Sequence, residues 1–165
     1  MTGVDLLAFA ALGCLVLYTL LGGADFGGGV WDLLATGPRA RAQRTLIEHA
    51  LAPVWEANHV WLIIVVTILF TGFPTAFSVI CTALHVPLML VLVGIVLRGS
   101  TFVFRQYGAP VDATALRLGR VFAITSTVTP VFLGVCLGAI TAEGIRVEEG
   151  VPVTGYFEPW LGLFP

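Results

Sequence analysis

The sequence has no lysine; every cationic side chain is an arginine. Charged residues make up only 11% of the 165 residues, where a soluble domain carries roughly 25%. That is too little polar surface to cover a globule of this size. It excludes a soluble enzyme, a disordered tail and a nucleic-acid module. A net charge of −2 gives no overall attraction to DNA, RNA or an acidic surface. Cysteine is scarce and odd in number. Cys14, Cys81 and Cys136 each lie in a long apolar run and form no C-x-x-C, so neither a disulfide framework nor a zinc site is indicated. They read as small buried hydrophobes. Met1–Asp5 has no positive residue and the apolar run after it is too long for an h-region, so a cleavable signal peptide is not expected. What is plentiful is apolar: 58% of residues, with mean hydropathy +0.98. The remaining class is an integral membrane protein. Its soluble parts are too short for a core of their own, so membrane helices must pack on each other.

The uncharged stretches give four spans. Leu6–Ala24 is long enough to cross a bilayer, and its helix continues toward Leu34 although Gly22–Gly23 and Gly27–Gly29 weaken it. Ala57–Leu97 carries no charge and is split by the turn signal Thr71-Gly72-Phe73-Pro74-Thr75. A last uncharged run lies between Arg120 and Glu143. The expectation is an all-α, integral membrane four-helix bundle, one transmembrane domain over 1–165, with spans near 6–34, 52–70, 76–97 and 121–142. Residues 143–165 form an acidic, irregular tail. Arg39, Arg41 and Arg44 lie between spans one and two, and Arg98, Arg105, Arg117 and Arg120 follow span three; only Arg146 falls on the other side. By the positive-inside rule the N-terminus and the acidic tail are outside, and both Arg-rich loops are cytoplasmic. No secure repeat is visible. Gly23/Gly27 and Gly134/Gly138 match the small-xxx-small pattern, which the abundance of glycine explains equally well.

Ionisable residues inside apolar spans carry the most information, because each costs on the order of 3 kcal/mol at the bilayer centre unless paired, wet or functional. Asp25 lies about 13 Å before the end of span one, and Glu56 and His59 lie about 6 and 10 Å into span two. These three, with Asn58, occupy one slab on the Arg-bearing side; Asp32 sits at the wet helix end. Desolvation lets a buried acid hold and release a proton near neutral pH, and histidine can relay one. Two readings of this group stand: a proton route opening toward the cytoplasm, or a structural polar cluster tying spans one and two together. Glu56 and His59 also form a Glu-x-x-His pair, but a di-iron bundle needs two such pairs and two further acids, which the spans do not supply. No metal or cofactor ligand is assigned to the chain. His85, at mid-span before Pro87, reads as a polar contact rather than a haem ligand. Thr125, Ser126, Thr127, Thr129 and Pro130 read as a kinked helix with local hydroxyl bonds. The tryptophans suit interfacial or interhelical positions.

Two stretches go beyond a generic four-span protein: Gly22-Gly23-Ala24-Asp25-Phe26-Gly27-Gly28-Gly29-Val30-Trp31-Asp32 and Ala52-Pro53-Val54-Trp55-Glu56-Ala57-Asn58-His59-Val60-Trp61-Leu62. In that order, followed by Phe73-Pro74 and by Arg98 closing span three, they resemble the N-terminal half of subunit II of the cytochrome bd-type quinol oxidases. The resemblance implies a multi-pass subunit in the plasma membrane of a prokaryote. Its complex would oxidise quinol and reduce oxygen to water, with the haems held by a larger subunit I. It implies that this subunit supports the haem-bearing partner and contributes to cytoplasmic proton uptake, with the acid at Glu56 on the route and Asp25 in the same polar region. Asp25, Glu56, Asn58 and His59 are thus the candidate proton-pathway residues, and no residue is a catalytic candidate. Family members have eight spans in two similar halves. The end Tyr156–Pro165 resembles the lead-in to a fifth span, which leaves three readings: a truncated product, a fragment or one half of a split subunit. The expected partners are subunit I and membrane lipid and, under the last reading, a separate chain supplying a C-terminal half. The alternatives are a small proton- or cation-coupled transporter using Asp25, Glu56 and His59 as its site, and a purely structural assembly subunit.

Overall fold

A computed structural model describes residues 2–107, 113–153, 155 and 157–162. Of the terminal stretch discussed above, Tyr156 and 163–165 lie outside the described residues. The chain is an all-α bundle. It comprises α1 (Gly3–Leu34), α2 (Ala40–Gly72), α3 (Pro74–Ala83), α4 (His85–Tyr107), α5 (Ala113–Thr141) and α6 (Glu158–Leu161), with a small hairpin of β1 (Val147–Glu148) and β2 (Val151–Pro152). Four helices are long and apolar enough to cross a membrane: Gly3–Leu34, Ala40–Gly72, His85–Phe104 and Arg117–Thr141.

Local chemistry explains the boundaries. The Thr2 hydroxyl and the Asp5 carboxylate close a capping box at the start of α1. Its last carbonyls are capped from the next helix: Arg44 Nε donates to the Asp32 carbonyl (3.3 Å) and Nη2 to that of Ala35 (3.0 Å). The turn between them needs Gly37, whose φ of +79° is costly for any side chain. Phe73 separates α2 from α3, and Pro74 takes the first helical position, where its missing N–H costs nothing.

The run read as one span at 76–97 is two helices, α3 and α4, with Leu84 between them. Pro87 is the physical cause. It has no N–H to give the Ala83 carbonyl, and its ring collides with that group. His85 Nδ1 lies 3.1 Å from the Thr82 carbonyl at this break. Leu84 is fully buried and packs with Ala83, Cys136 and Ala139.

In α5, Thr125 donates to the carbonyls of Val121 and Phe122, and Thr127 to that of Ala123. The helix ends with Glu143 at φ +54° and a bond from the Gly144 N–H to the Ala139 carbonyl (3.1 Å), a Schellman-type stop. The tail then folds back. Glu149 and Gly150, both at positive φ, turn β1 onto β2, pairing Val147 with Pro152 and Glu148 with Val151. Trp160 of α6 packs on the cluster around Leu84.

α1 packs against α2 and α5, and α4 against α5. Of the small-xxx-small glycines, Gly23, Gly27 and Gly134 do not make these contacts. A Cβ at Gly23, Gly27 or Gly134 would meet nothing within 4 Å. A Cβ at Gly28 would strike Leu51, at Gly29 Ser126, and at Gly94 Thr129. Those three allow the backbones to approach.

Candidate functional site

The buried face of α1 runs Tyr18, Gly22, Asp25, Phe26, Gly29, Asp32. The spacing of three and four is that of a helical stripe, but the stripe is small and polar. The bulky apolar side chains Leu6, Phe9, Leu12, Val16 and Leu20 point outward. In a chain whose outer solvent is hydrocarbon, the inside is where polar groups must find each other.

Four helices each bring one polar residue to the same layer. Arg98 from α4 is at its centre, 1% exposed. Its Nη2 donates to Asp25 Oδ1 (2.5 Å) and to the Asp25 carbonyl (2.8 Å), and its Nη1 to Asp25 Oδ2 (3.2 Å). Nε donates to Ser126 Oγ of α5 at 2.8 Å. Asn58 of α2 donates from Nδ2 to Asp25 Oδ2 at 3.2 Å. The guanidinium also lies 4.9 Å from the Phe26 ring centre and 5.1 Å from that of Phe122, a cation–π sandwich. Asp25 is completely buried and Asn58 almost so. A glycine makes the arrangement possible: a Cβ at Gly29 would strike Ser126, whereas one at Gly22 would only touch Asn58.

The sequence reading counts Arg98 among the cytoplasmic loop arginines. The structure places it inside the bundle as the counter-charge of Asp25. The remaining loop arginines still outnumber Arg146, so the orientation argument survives without it. A signal was present: after Arg98 the chain continues Gly-Ser-Thr-Phe-Val-Phe, an apolar stretch that extends the helix to either side of the charge. Asp32, expected at the wet helix end, is also buried, at 2% exposure.

Of the four candidate residues, Asp25 and Asn58 come together and Glu56 does not join them. Glu56 precedes Asn58 by two residues, about 200° around a helix, and is exposed on the outer face of α2. His59 is half-buried between these faces. Its Nδ1 is 2.9 Å from the Trp55 carbonyl, and its ring centre is 4.9 Å from that of Trp55. Trp55 continues inward to Phe102 and Phe102 to Phe122 (5.3 and 6.0 Å), an aromatic wall beneath the ion pair. Asn58 Oδ1, Trp55 Nε1 and Thr129 Oγ1 are buried without a hydrogen-bond partner among the described residues. No group of three or more metal-ligating side chains occurs among the described residues.

This site can hold two opposite charges in an apolar layer and fix four helices around them. It can also present an acid and an imidazole outward at nearly the same depth. The comparisons with known proteins agree with the two motifs. The cytochrome bd terminal oxidase subunit II family matches residues 4–165. The putative cytochrome bd menaquinol oxidase subunit II of Bacillus subtilis (strain 168) is 28% identical over 92 residues, 56% of this chain and 27% of that protein. The cytochrome bd ubiquinol oxidase subunit 2 of the same organism is 32% identical over 88 residues, 53% and 25% of the two chains. The cytochrome bd-I ubiquinol oxidase subunit 2 of Escherichia coli (strain K12) is 28% identical over 140 residues, 84% and 34% of the two chains. The matches thus span about a quarter to a third of the length of these relatives. With the family matched from residue 4 to residue 165 and four membrane-length helices present, the chain belongs to the cytochrome bd terminal oxidase subunit II family.

Proposed function

We propose that the chain works as a non-haem subunit of a respiratory quinol:oxygen oxidoreductase in a prokaryotic plasma membrane. It supports a haem-bearing subunit I and contributes to proton uptake from the cytoplasm. Family membership supports the complex. One observation supports the proton role: Glu56 is exposed on α2 with His59 a turn away, next to the exposed apolar side chains Val60 and Ile63. An acid facing lipid costs several kcal/mol. Contact with a wet seam or with a polar surface of a partner removes that cost. In this reading α2 meets subunit I, and Glu56 with His59 passes protons along the seam.

For Asp25 and Asn58 the geometry favours a structural role. The Asp25 carboxylate is held by Arg98 and Asn58, and protonating it would leave the guanidinium without its counter-charge. Asp25 is proposed as the tie that sets helix register, and the outer face of α2 as the route. The haems are proposed to reside in the partner, and quinol to be oxidised there.

The test is Glu56→Gln in the assembled complex. Oxygen consumption should fall with haem content unchanged. Unchanged turnover removes Glu56 from the route and leaves the subunit a purely structural role.

A further inference from the structure

The α1–α2 hairpin contains a groove unconnected with the ion pair, a cavity of about 480 Å³. That falls within the range of about 300–1,000 Å³ typical of small-molecule sites. Gly28, Ala35 and Ala50 leave the space open, and Trp31, Leu34 and Leu46 form its walls. It extends over Gly28–Ala35 of α1 and Gln43–Leu51 of α2, about 10–12 Å at the helical rise. Leu51 packed on Gly28 closes the deep end. The lining is apolar except for Gln43, at the end nearest the turn. Trp31 is 68% exposed and Leu46 71%, so the groove opens sideways toward the surrounding medium.

Beyond Gln43 lies Arg39, exposed at the N-cap of α2 and one turn before Gln43 on the same face, whereas Arg41, two residues from Gln43, stands about 200° away. Arg44 is already committed to the last carbonyls of α1. The first turn of α2 contains no acid, and neither Asp32 nor Glu48 lines the groove. An apolar slot on the flank of a membrane helix pair, with a cationic side chain past its polar end, matches one ligand in shape and charge. We propose that the groove holds an acyl chain of an anionic phospholipid, with its ester region beside Gln43 and its phosphate beside Arg39.

Trp31 reports on this directly. The full chain, purified from its native membrane, is reconstituted in phosphatidylcholine vesicles. These contain equal mole fractions of acyl-brominated phosphatidylglycerol or acyl-brominated phosphatidylcholine. The Trp31 contribution is taken as the difference from Trp31→Phe. Quenching by the brominated phosphatidylglycerol should be about five-fold stronger, the preference that one surface arginine provides. It should fall to parity in Arg39→Gln, and Ala50→Phe, which fills the slot, should reduce quenching by both lipids. Parity in the parent, or a preference that survives Arg39→Gln, overturns the proposal. So does a Trp31 that neither lipid quenches, since a protein segment would then cover the groove.

Discussion

Glu56 and Asn58 are two residues apart on α2 and face opposite sides of it: Asn58 donates to the buried Asp25 carboxylate, and Glu56 lies on the outer surface. Helix geometry alone separates them, since two residues are about 200°. Asp25 and Glu56, one acid from each signature stretch, therefore stand in different physical settings. Glu56→Gln removes no internal contact and should change the thermal stability of the assembled protein by less than about 0.5 kcal/mol. Asp25→Asn should instead lower the yield of folded protein. A melting curve for each variant checks the contrast.

Removing one side of the ion pair should be far worse than removing both. Arg98→Met leaves Asp25 charged and unpaired in an apolar layer, at a cost of about 3–5 kcal/mol. Arg98→Met/Asp25→Leu keeps the volume and drops both charges, so it should regain most of that loss. A double-mutant cycle on unfolding in detergent measures the coupling. Additive losses would mean the two residues do not support each other.

Glycine positions should sort by what a Cβ would meet. Gly29→Ala pushes on Ser126, and through it on Arg98; overpacking of this kind costs about 1–3 kcal/mol. Gly94→Ala should behave likewise against Thr129. At Gly23 there is open space, so Gly23→Ala should stabilise by about 0.5–1 kcal/mol through helix propensity. Melting temperatures of the three variants give the order.

Arg44 caps α1 from the start of α2. Arg44→Gln should cost about 0.5–1.5 kcal/mol, the net worth of the lost hydrogen bonds. The loss is local, so hydrogen exchange should rise at amides of the turn after Leu34 and stay unchanged around Ser126.

The helical class was legible because an uncharged run of span length admits few other structures in a membrane. Asp25 and Asn58 were legible because a polar residue in such a run demands a partner. The partner itself, Arg98, was missed. Charge counting assigns an arginine at the end of an apolar run to the interface, whereas the demand of Asp25 for a counter-charge comes from packing. Glu56 was grouped with Asp25 by depth along the helix axis, and depth contains no azimuth. The break at Leu84 was announced by Pro87, which the turn at Phe73-Pro74 overshadowed. The buried state of Asp32 had no local signal, since it depends on which helices crowd the end of α1.

The Arg98–Asp25 bond joins residues 73 positions apart, and this sets an order on biogenesis. When α1 first leaves the ribosome and enters the bilayer, its carboxylate has no counter-ion. Burying it costs on the order of 3 kcal/mol until α4 has been synthesised. The first hairpin alone offers Asp25 only the Asn58 amide, so it is not an electrostatically finished unit before α4 joins it. A nascent chain stopped before α4 carries an acid without its counter-charge. The same pair that locks the mature bundle thus makes its first helix depend on a residue synthesised 73 positions later.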